Sequence, residues 1–316
     1  MNITFWGVRG SIPAPLAPAE IKEKLIHVLR MALGRDLGEK GAVRRFVEGL
    51  PPHVAGTFGG NTPCVQLEAG GLTLICDAGS GIRPLGLHLM KGACGRGQGT
   101  IHLFFSHTHW DHIQGFPFFS PAYRKGNRVR IYSPFADMAQ RLRAQQRSQF
   151  FPVPLEAMDA DLEFIHFPEG HELMLGDVRV SNMALNHPGG SFGYRVEEGT
   201  DAFVYASDTE FTNLSDDDIQ RYVAFFSKAK VLVLDAQYTL LDAFQKETWG
   251  HSAALKGVDM ARQAGVETLV LFHHEPAYSD QALQDIHRGT MKYAGFQGID
   301  RVIRIVMAYE GLELTL

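Results

Sequence analysis

The chain has 316 residues, 45% of them hydrophobic, and a formal net charge of −5. That length and apolar content suffice for a sizeable core, and so mild an acidity argues against a general nucleic-acid coat protein. No run of about 18 uninterrupted apolar residues marks a membrane span, so no membrane partner is expected.

Residues 2–6 read as a strand that Gly7, Gly10 and Pro13 break into a turn. Residues 14–56 differ in character. Ile21, Leu25, Val28, Leu29 and Ala32 recur at helical spacing, Val43, Phe46, Val47 and Leu50 repeat the pattern, and Pro51-Pro52 stops it. This predicts a helical hairpin inserted between two strands, with apolar faces that need a cover: the body, a lid position over the site, or a second copy in a homodimer. Residues 63–67 and 72–76 read as a β-hairpin around Gly70-Gly71, followed by a turn at Asp77 and a helix near 82–90. Gly92 to Gly99 reads as a mobile Gly-rich loop. Further strands are expected at 101–105, 129–132, 162–166, 178–185, 192–197, 202–206, 231–234 and 269–272, and further helices at 135–149, 216–228, 252–264 and 280–293. The end, 301–308 and 312–316, reads as a hairpin. Two runs of strands joined to helices, with no low-complexity linker, predict one α/β domain over 1–316, two packed sheets with helices outside.

The start, Met1-Asn2-Ile3-Thr4-Phe5-Trp6-Gly7, lacks the layout of a secretory signal. Cys64, Cys76 and Cys94 are odd in number and form no Cys-x-x-Cys pair. A reducing, cytoplasmic location follows as the expectation, with no thiolate metal cluster and a core-filling role for Cys64 and Cys76.

Chemistry concentrates in Ser106-His107-Thr108-His109-Trp110-Asp111-His112, where three histidines and an aspartate follow an apolar strand. Imidazole nitrogens with a carboxylate suit zinc, or manganese or iron. Four groups are too few for two ions, and three more polar residues end apolar strands in the same way: His187, Asp208 and His273. Arg124, Lys125, Arg128, Arg130, Arg141, Arg143 and Arg147 form a local basic excess, either a solvated face or a funnel for substrate phosphate.

This set resembles the metallo-β-lactamase superfamily. Phe5-x-Gly7, Gly60-Asn61-Thr62, Asp77, Ser191-Phe192-Gly193-Tyr194-Arg195, Trp249-Gly250-His251-Ser252 and Phe272-His273-His274-Glu275-Pro276 resemble its tRNase Z and cyclic-nucleotide phosphodiesterase-like branch. The resemblance implies a four-layer αββα sandwich (the metallo-β-lactamase fold) with residues 14–56 as an N-terminal helical insertion. It implies two divalent metal ions, zinc first. His107, His109 and His187 would hold one, Asp111, His112 and His273 the other, and Asp208 would bridge them; His274 rivals His273. Asp77 and Ser106 would orient a ligating imidazole, although Asp77 also fits a plain helix cap.

The implied activity is that of a phosphodiesterase using metal-activated hydroxide, with Asp111, His251 and Asp235 as catalytic groups. His251 would reach the scissile phosphate and Asp235 would orient it; Ala253 stands where the branch commonly has Thr. A β-lactamase is disfavoured because no Cys stands at Asp208, and a glyoxalase II-type thioesterase because its Gly-His-Thr surroundings are absent at His187. The short span from His187 to Asp208 leaves no room for the tRNA-binding arm of bacterial tRNase Z. A small phosphodiester, cyclic nucleotides first, is the expected substrate. RNA cleavage of tRNase Z type and a non-catalytic nucleotide or metal sensor are the alternatives.

Overall fold

The structure, a computed structural model, describes residues 1–316. The chain opens with β1 (Asn2–Gly7) and a helical insertion of α1 (Pro18–Ala32), α2 (Ala42–Glu48) and α3 (Pro52–Ala55). Then come β2 (Cys64–Ala69), β3 (Leu72–Cys76), α4 (Ile82–Leu89), β4 (Thr100–Phe104), α5 (Trp110–Ile113), β5 (Arg128–Ser133), α6 (Met138–Gln145) and β6 (Asp161–His166). The second half holds β7 (Glu172–Leu175), β8 (Val178–Leu185), β9 (Ser191–Glu198), β10 (Asp201–Ala206), α7 (Asp216–Phe226), β11 (Val231–Asp235), α8 (Leu240–Gln245), α9 (Ala254–Ala264), β12 (Thr268–Phe272), α10 (Asp280–Phe296), β13 (Arg304–Met307) and β14 (Glu313–Thr315).

Two seven-stranded sheets result, ordered β14-β1-β2-β3-β4-β5-β6 and β13-β12-β11-β10-β9-β8-β7. Phe5, Leu67, Phe104, Tyr194, Tyr205, Val233 and Phe272 fill the space between them. The outer face of the second sheet packs under α7, α9 and α10 through Phe226, Val258 and Leu283, and that of the first under α4 and α6 through Leu85 and Leu142. The layers are helix, sheet, sheet, helix, as expected from the sequence. Strands covered on both faces read as unbroken apolar runs, and β11 is buried at every residue.

Local chemistry fixes many boundaries. Gly70 and Gly71 both take positive φ, 56° and 73°, as a two-residue hairpin turn between β2 and β3 requires. Ser215 caps α7 by accepting from the Asp218 amide at 3.1 Å, and three aspartates fill that helix's positive first turn. Within each sheet, β3 to β6 and β10 to β13 are parallel. Their carboxyl ends therefore open on one side, the usual place for a site in such sheets.

The structure departs from the sequence reading in four places. The last two strands do not pair: β13 runs parallel to β12, and β14 runs antiparallel to β1, in the other sheet. Residues 308–312 cross between the sheets, and β14 covers the outer edge of β1. A strand at 172–175 was not expected; Glu172 pairs with Ser181 across a turn at Gly176. The loop 92–99 is built in rather than loose: Cys94 is buried, and Asn127 donates to its carbonyl at 3.0 Å. Pro52 begins α3 rather than ending the helical stretch, since proline at the first helical turn loses no hydrogen bond.

The insertion is tied down by charge more than by apolar burial. No residue of α1 is buried, and Leu25, Leu29 and Leu33 remain 60%, 67% and 78% exposed. Lys24 instead reaches the buried Asp280 carboxylate at 2.7 Å and donates to the His53 carbonyl. Asp280 also accepts from the Phe58 amide at 3.0 Å and Thr57 Oγ1 at 3.1 Å, and Arg9 lies 3.8 Å away. Removing one partner of such a buried cluster strands the others. Asp280→Ala should lower the free energy of unfolding by about 3 kcal/mol, read by chemical denaturation. Lys24→Met, at the solvent edge where water can replace the ammonium, should cost less, under about 1 kcal/mol; an Asp280→Ala protein as stable as the wild type would mean that the cluster does not anchor the insertion as described.

Candidate metal centre

Two of the proposed donors leave strand ends under backbone strain. Asp208 (φ 50°) follows β10 and His273 (φ 62°) follows β12, and Asp77 (φ 62°) takes the same conformation after β3. Left-handed backbone is costly for residues with a Cβ and persists where surroundings demand it. His107 and His109 lie in the turn after β4, Asp111 and His112 in the single helical turn α5, and His187 in the turn between β8 and β9. Glycine makes two close approaches possible. A Cβ on Gly10 would lie 2.6 Å from the His273 ring, and one on Gly250 would lie 2.2 Å from His187 Nδ1.

All seven predicted donors converge, in two overlapping groups: His107, His109, His187 and Asp208; and Asp111, His112, Asp208 and His273. Within each, one donor atom per residue lies within 4.8 Å of every other. Asp208 belongs to both. Its Oδ2 is 3.6 Å from His107 Nε2 and 3.8 Å from His187 Nε2, while its Oδ1 is 3.1 Å from His112 Nε2 and 3.2 Å from His273 Nε2.

The outward ring nitrogens explain which lone pairs point inward. His187 Nδ1 donates to the Gly250 carbonyl at 2.9 Å, and His273 Nδ1 to Gln237 Oε1 at 3.2 Å. His112 Nδ1 donates to Asp77 Oδ2 at 2.7 Å. Ser106 Oγ gives its own proton to Asp77 and accepts from His107 Nδ1 at 3.0 Å. With these protons outside, the inner nitrogens of His107, His187 and His273 present lone pairs, and that of His112 does so once a cation displaces its proton. His109 Nδ1 and His187 Nε2 then face each other at 3.0 Å, and His112 Nε2 and His273 Nε2 at 3.3 Å. His107 Nε2 is buried with no hydrogen-bond partner at all. Donor type, the orphaned nitrogen and the closely spaced ring nitrogens fit divalent cations that accept imidazole and carboxylate together.

The carboxylates make the centre one that holds positive charge: burial opposes charge on His112, but Asp208, Asp111 and Asp77 outweigh it and hold that imidazole well above the ordinary value, so a cation there displaces a proton. Burial, and next the charge of His112, holds His107 well below the ordinary histidine value. Burial opposes charge on Asp208, but His112, His273 and His107 outweigh it and hold that carboxyl well below the usual range.

His274 is not part of the cluster. Its Nε2 donates to the Ala308 carbonyl at 2.8 Å and its ring meets Phe58 edge-on. His251 and Asp235 do come together beside the donors: His251 Nδ1 lies 2.7 Å from Asp235 Oδ2, and the two rings of His251 and His273 stack with centroids 5.0 Å apart. Burial alone would lower His251, but the charge and hydrogen bond of Asp235 push it up to about 9. Of the basic stretch, only Arg141 touches the site's turn, donating to Thr108 Oγ1 at 2.9 Å. Arg143 and Arg130 pair with Glu156 and Glu163 at the surface.

Four supporting residues escaped the sequence reading. Glu210 accepts from the amides of Thr248 and Gly250, fixing the loop that carries both the Gly250 carbonyl and His251. Gln237 holds His273 and donates to Ser11 Oγ, and the Ser11 amide donates to Asp111 Oδ2 at 2.7 Å. Tyr205 donates to Asp77 at 2.8 Å. Position right after a strand end could have flagged Glu210 and Gln237; nothing local marks Ser11 or Tyr205. Asp77 takes four hydrogen bonds, from Ser106 N, Ser106 Oγ, His112 and Tyr205. Asp77→Asn keeps its shape but presents an NH2 to donors. It should weaken metal affinity about 10- to 100-fold, measured by competition with a chromophoric chelator; unchanged affinity would contradict this role.

The sequence model of the "Beta-lactamase superfamily domain" matches residues 73–274. Among curated relatives, a "UPF0282 protein" of Korarchaeum cryptofilum is 29% identical over 178 residues, 54% of this chain and 56% of that protein. A "Ribonuclease Z" of Macrococcus caseolyticus is 29% identical over 99 residues, 30% of each. The chain thus matches about half the length of the first and under a third of the second. Among solved structures, YhfI of Bacillus subtilis, a metallo-beta-lactamase fold protein, superposes with TM-score 0.61 at 17% identity, covering 99% of this chain and 98% of that one. A diphosphatase of the PhnP family gives 0.59 at 17% (100% and 97%), and the short form of human tRNase Z 0.61 at 16% (100% and 99%). At such identities these neighbours speak for the fold. The matched segment runs from β3 to the histidine pair after β12 and contains all seven clustered donors, and on that footing the chain belongs to the beta-lactamase superfamily.

Proposed function

We propose that the protein is a metal-dependent hydrolase of phosphodiesters, with a small diester such as a cyclic nucleotide as substrate. The observation that carries this reading is the pairing of two donor sets sharing Asp208 with an Asp235-bound imidazole, His251, packed against one of them. His107, His109 and His187 would hold one ion, Asp111, His112 and His273 the other, with Asp208 between. Bound there, two divalent ions, zinc first, supply an activated water and neutralise the phosphate oxygens.

The chain's own contribution is orientation and a proton. Asp235 keeps His251 Nδ1 occupied at 2.7 Å, so Nε2 is the nitrogen left for substrate. Against its burial, Asp235 pushes His251 up to about 9, the direction that a proton donor at neutral pH requires. His251 acts as the acid: as the P–O bond to the leaving group breaks, the departing alkoxide takes the Nε2 proton. Asp235 is itself fixed by the amides of Gln237 and Ser252, both 3.1 Å from Oδ1. Glu210 holds the loop so that His187 and His251 keep their spacing, ring centroids 5.3 Å apart. RNA is the second reading, favoured by the ribonuclease Z relative.

The metal-loaded protein should turn over bis(p-nitrophenyl) phosphate, and Asp208→Ala should abolish it. Absence of turnover at full metal occupancy would favour a binding protein. His251→Ala should lower kcat on cyclic mononucleotides, whose alkoxide needs a proton, by about 10²- to 10⁴-fold. With p-nitrophenolate as leaving group the loss should be much smaller, and equal losses on both would remove the acid role. A precursor tRNA cleaved faster than any small diester would favour the RNA reading.

A further inference from the structure

Beside the donor cluster lies a hollow of about 760 Å³ between α5 and α6. It shares its wall with the metal-site turn: Thr108 and Trp110, which alternate with His107, His109 and Asp111 along the chain, both line it. Trp110, Phe118 and Phe150 face solvent there, 81%, 52% and 76% exposed. Leaving three large aromatic rings in water next to a reactive centre is unfavourable unless something covers them. The volume suits a ligand of nucleoside size.

One polar group narrows the choice of occupant. Arg141 lines the hollow and holds the metal-site turn: it donates to Thr108 Oγ1 at 2.9 Å, is braced by Asp137 at 2.9 Å, and lies 4.0 Å over the Phe135 ring. Its positive charge suits a ligand that carries a phosphate. An acyl chain or a hydrocarbon side chain would stack poorly on the rings, whereas a nucleobase offers them a flat π-face.

We propose that this hollow is the nucleobase subsite of the diester substrate, with Trp110 and Phe118 as its stacking residues. The proposal rests on the phosphodiesterase reading and makes the substrate a nucleotide. One turn, 107–112, borders both the hollow and the donors, and this links the subsite to a phosphate held there.

The test is binding, not turnover. Adenosine 5′-monophosphate and ribose 5-phosphate carry the same phosphate, and only the first has a base. Titrated calorimetrically into the metal-loaded protein, the nucleotide should bind about tenfold or more tightly, the range expected of base stacking. Trp110→Ala and Phe118→Ala alter exposed side chains and should each shrink that preference several-fold while leaving ribose 5-phosphate affinity unchanged. Equal affinities in the wild type, or a preference that survives both substitutions, would overturn the subsite. The two readings fail separately. Diester turnover without a base preference retains the hydrolase and removes the subsite; a base preference lost in the variants, without turnover of any diester, retains the subsite and removes the hydrolase.

Discussion

Groups that all seek positive charge are forced together at the centre of this molecule. Imidazole nitrogens face each other at 3.0 and 3.3 Å around one buried carboxylate, and hydrogen bonds hold the outer nitrogens of His107, His112, His187 and His273. Such an arrangement is unfavourable unless positive charge sits between the donors. Much of the surrounding structure is legible as the means of imposing it. Asp77, Ser106, Gln237 and the Gly250 carbonyl hold the outer nitrogens, so the rings cannot turn to relieve the crowding. Asp208 and His273 take left-handed backbone to enter the centre from strand ends, and Gly10 and Gly250 let other segments pass against the rings.

The two-sheet frame makes that crowding affordable. Parallel strands β3 to β6 and β10 to β13 end on one side, and the aromatic layer between the sheets locks their relative height. Tyr205 and Tyr194 belong to this layer and also bond the site, to Asp77 and to the Phe105 carbonyl. Core and centre are thus physically continuous. A substitution that shifts the sheets against each other would misplace donors on both, because His107 and Asp208 come from different sheets.

Much of this could be read from the residues alone. Polar side chains at the ends of apolar strands are conspicuous because burial there demands a reason, and His107, His187, Asp208 and His273 were all marked by that context. The His251–Asp235 contact was accessible in part: Asp235 ends the buried run of β11, while His251 stands out through its family-like Trp249-Gly250-His251-Ser252 motif at a helix start. What stayed hidden depends on contacts remote in sequence. Ser11 meets Asp111 from 100 positions away, and Tyr205 meets Asp77 from 128. The pairing of the last two strands failed for the same reason: alternation and a Gly311 turn look like a hairpin, and only the unfilled edges of two sheets send them apart. Nor does helical periodicity tell where a face docks, and α1 meets the body through Lys24 while its leucines remain outside.

The central claim is that seven side chains hold a pair of cations bridged by Asp208. Metal stoichiometry tests it most directly: zinc-loaded protein is dialysed exhaustively against metal-free buffer, and retained ions per chain are counted by elemental analysis. The account predicts two in the wild type and one or fewer in Asp208→Asn. No retained metal in the wild type, or two ions still held without the Asp208 carboxylate, would contradict it.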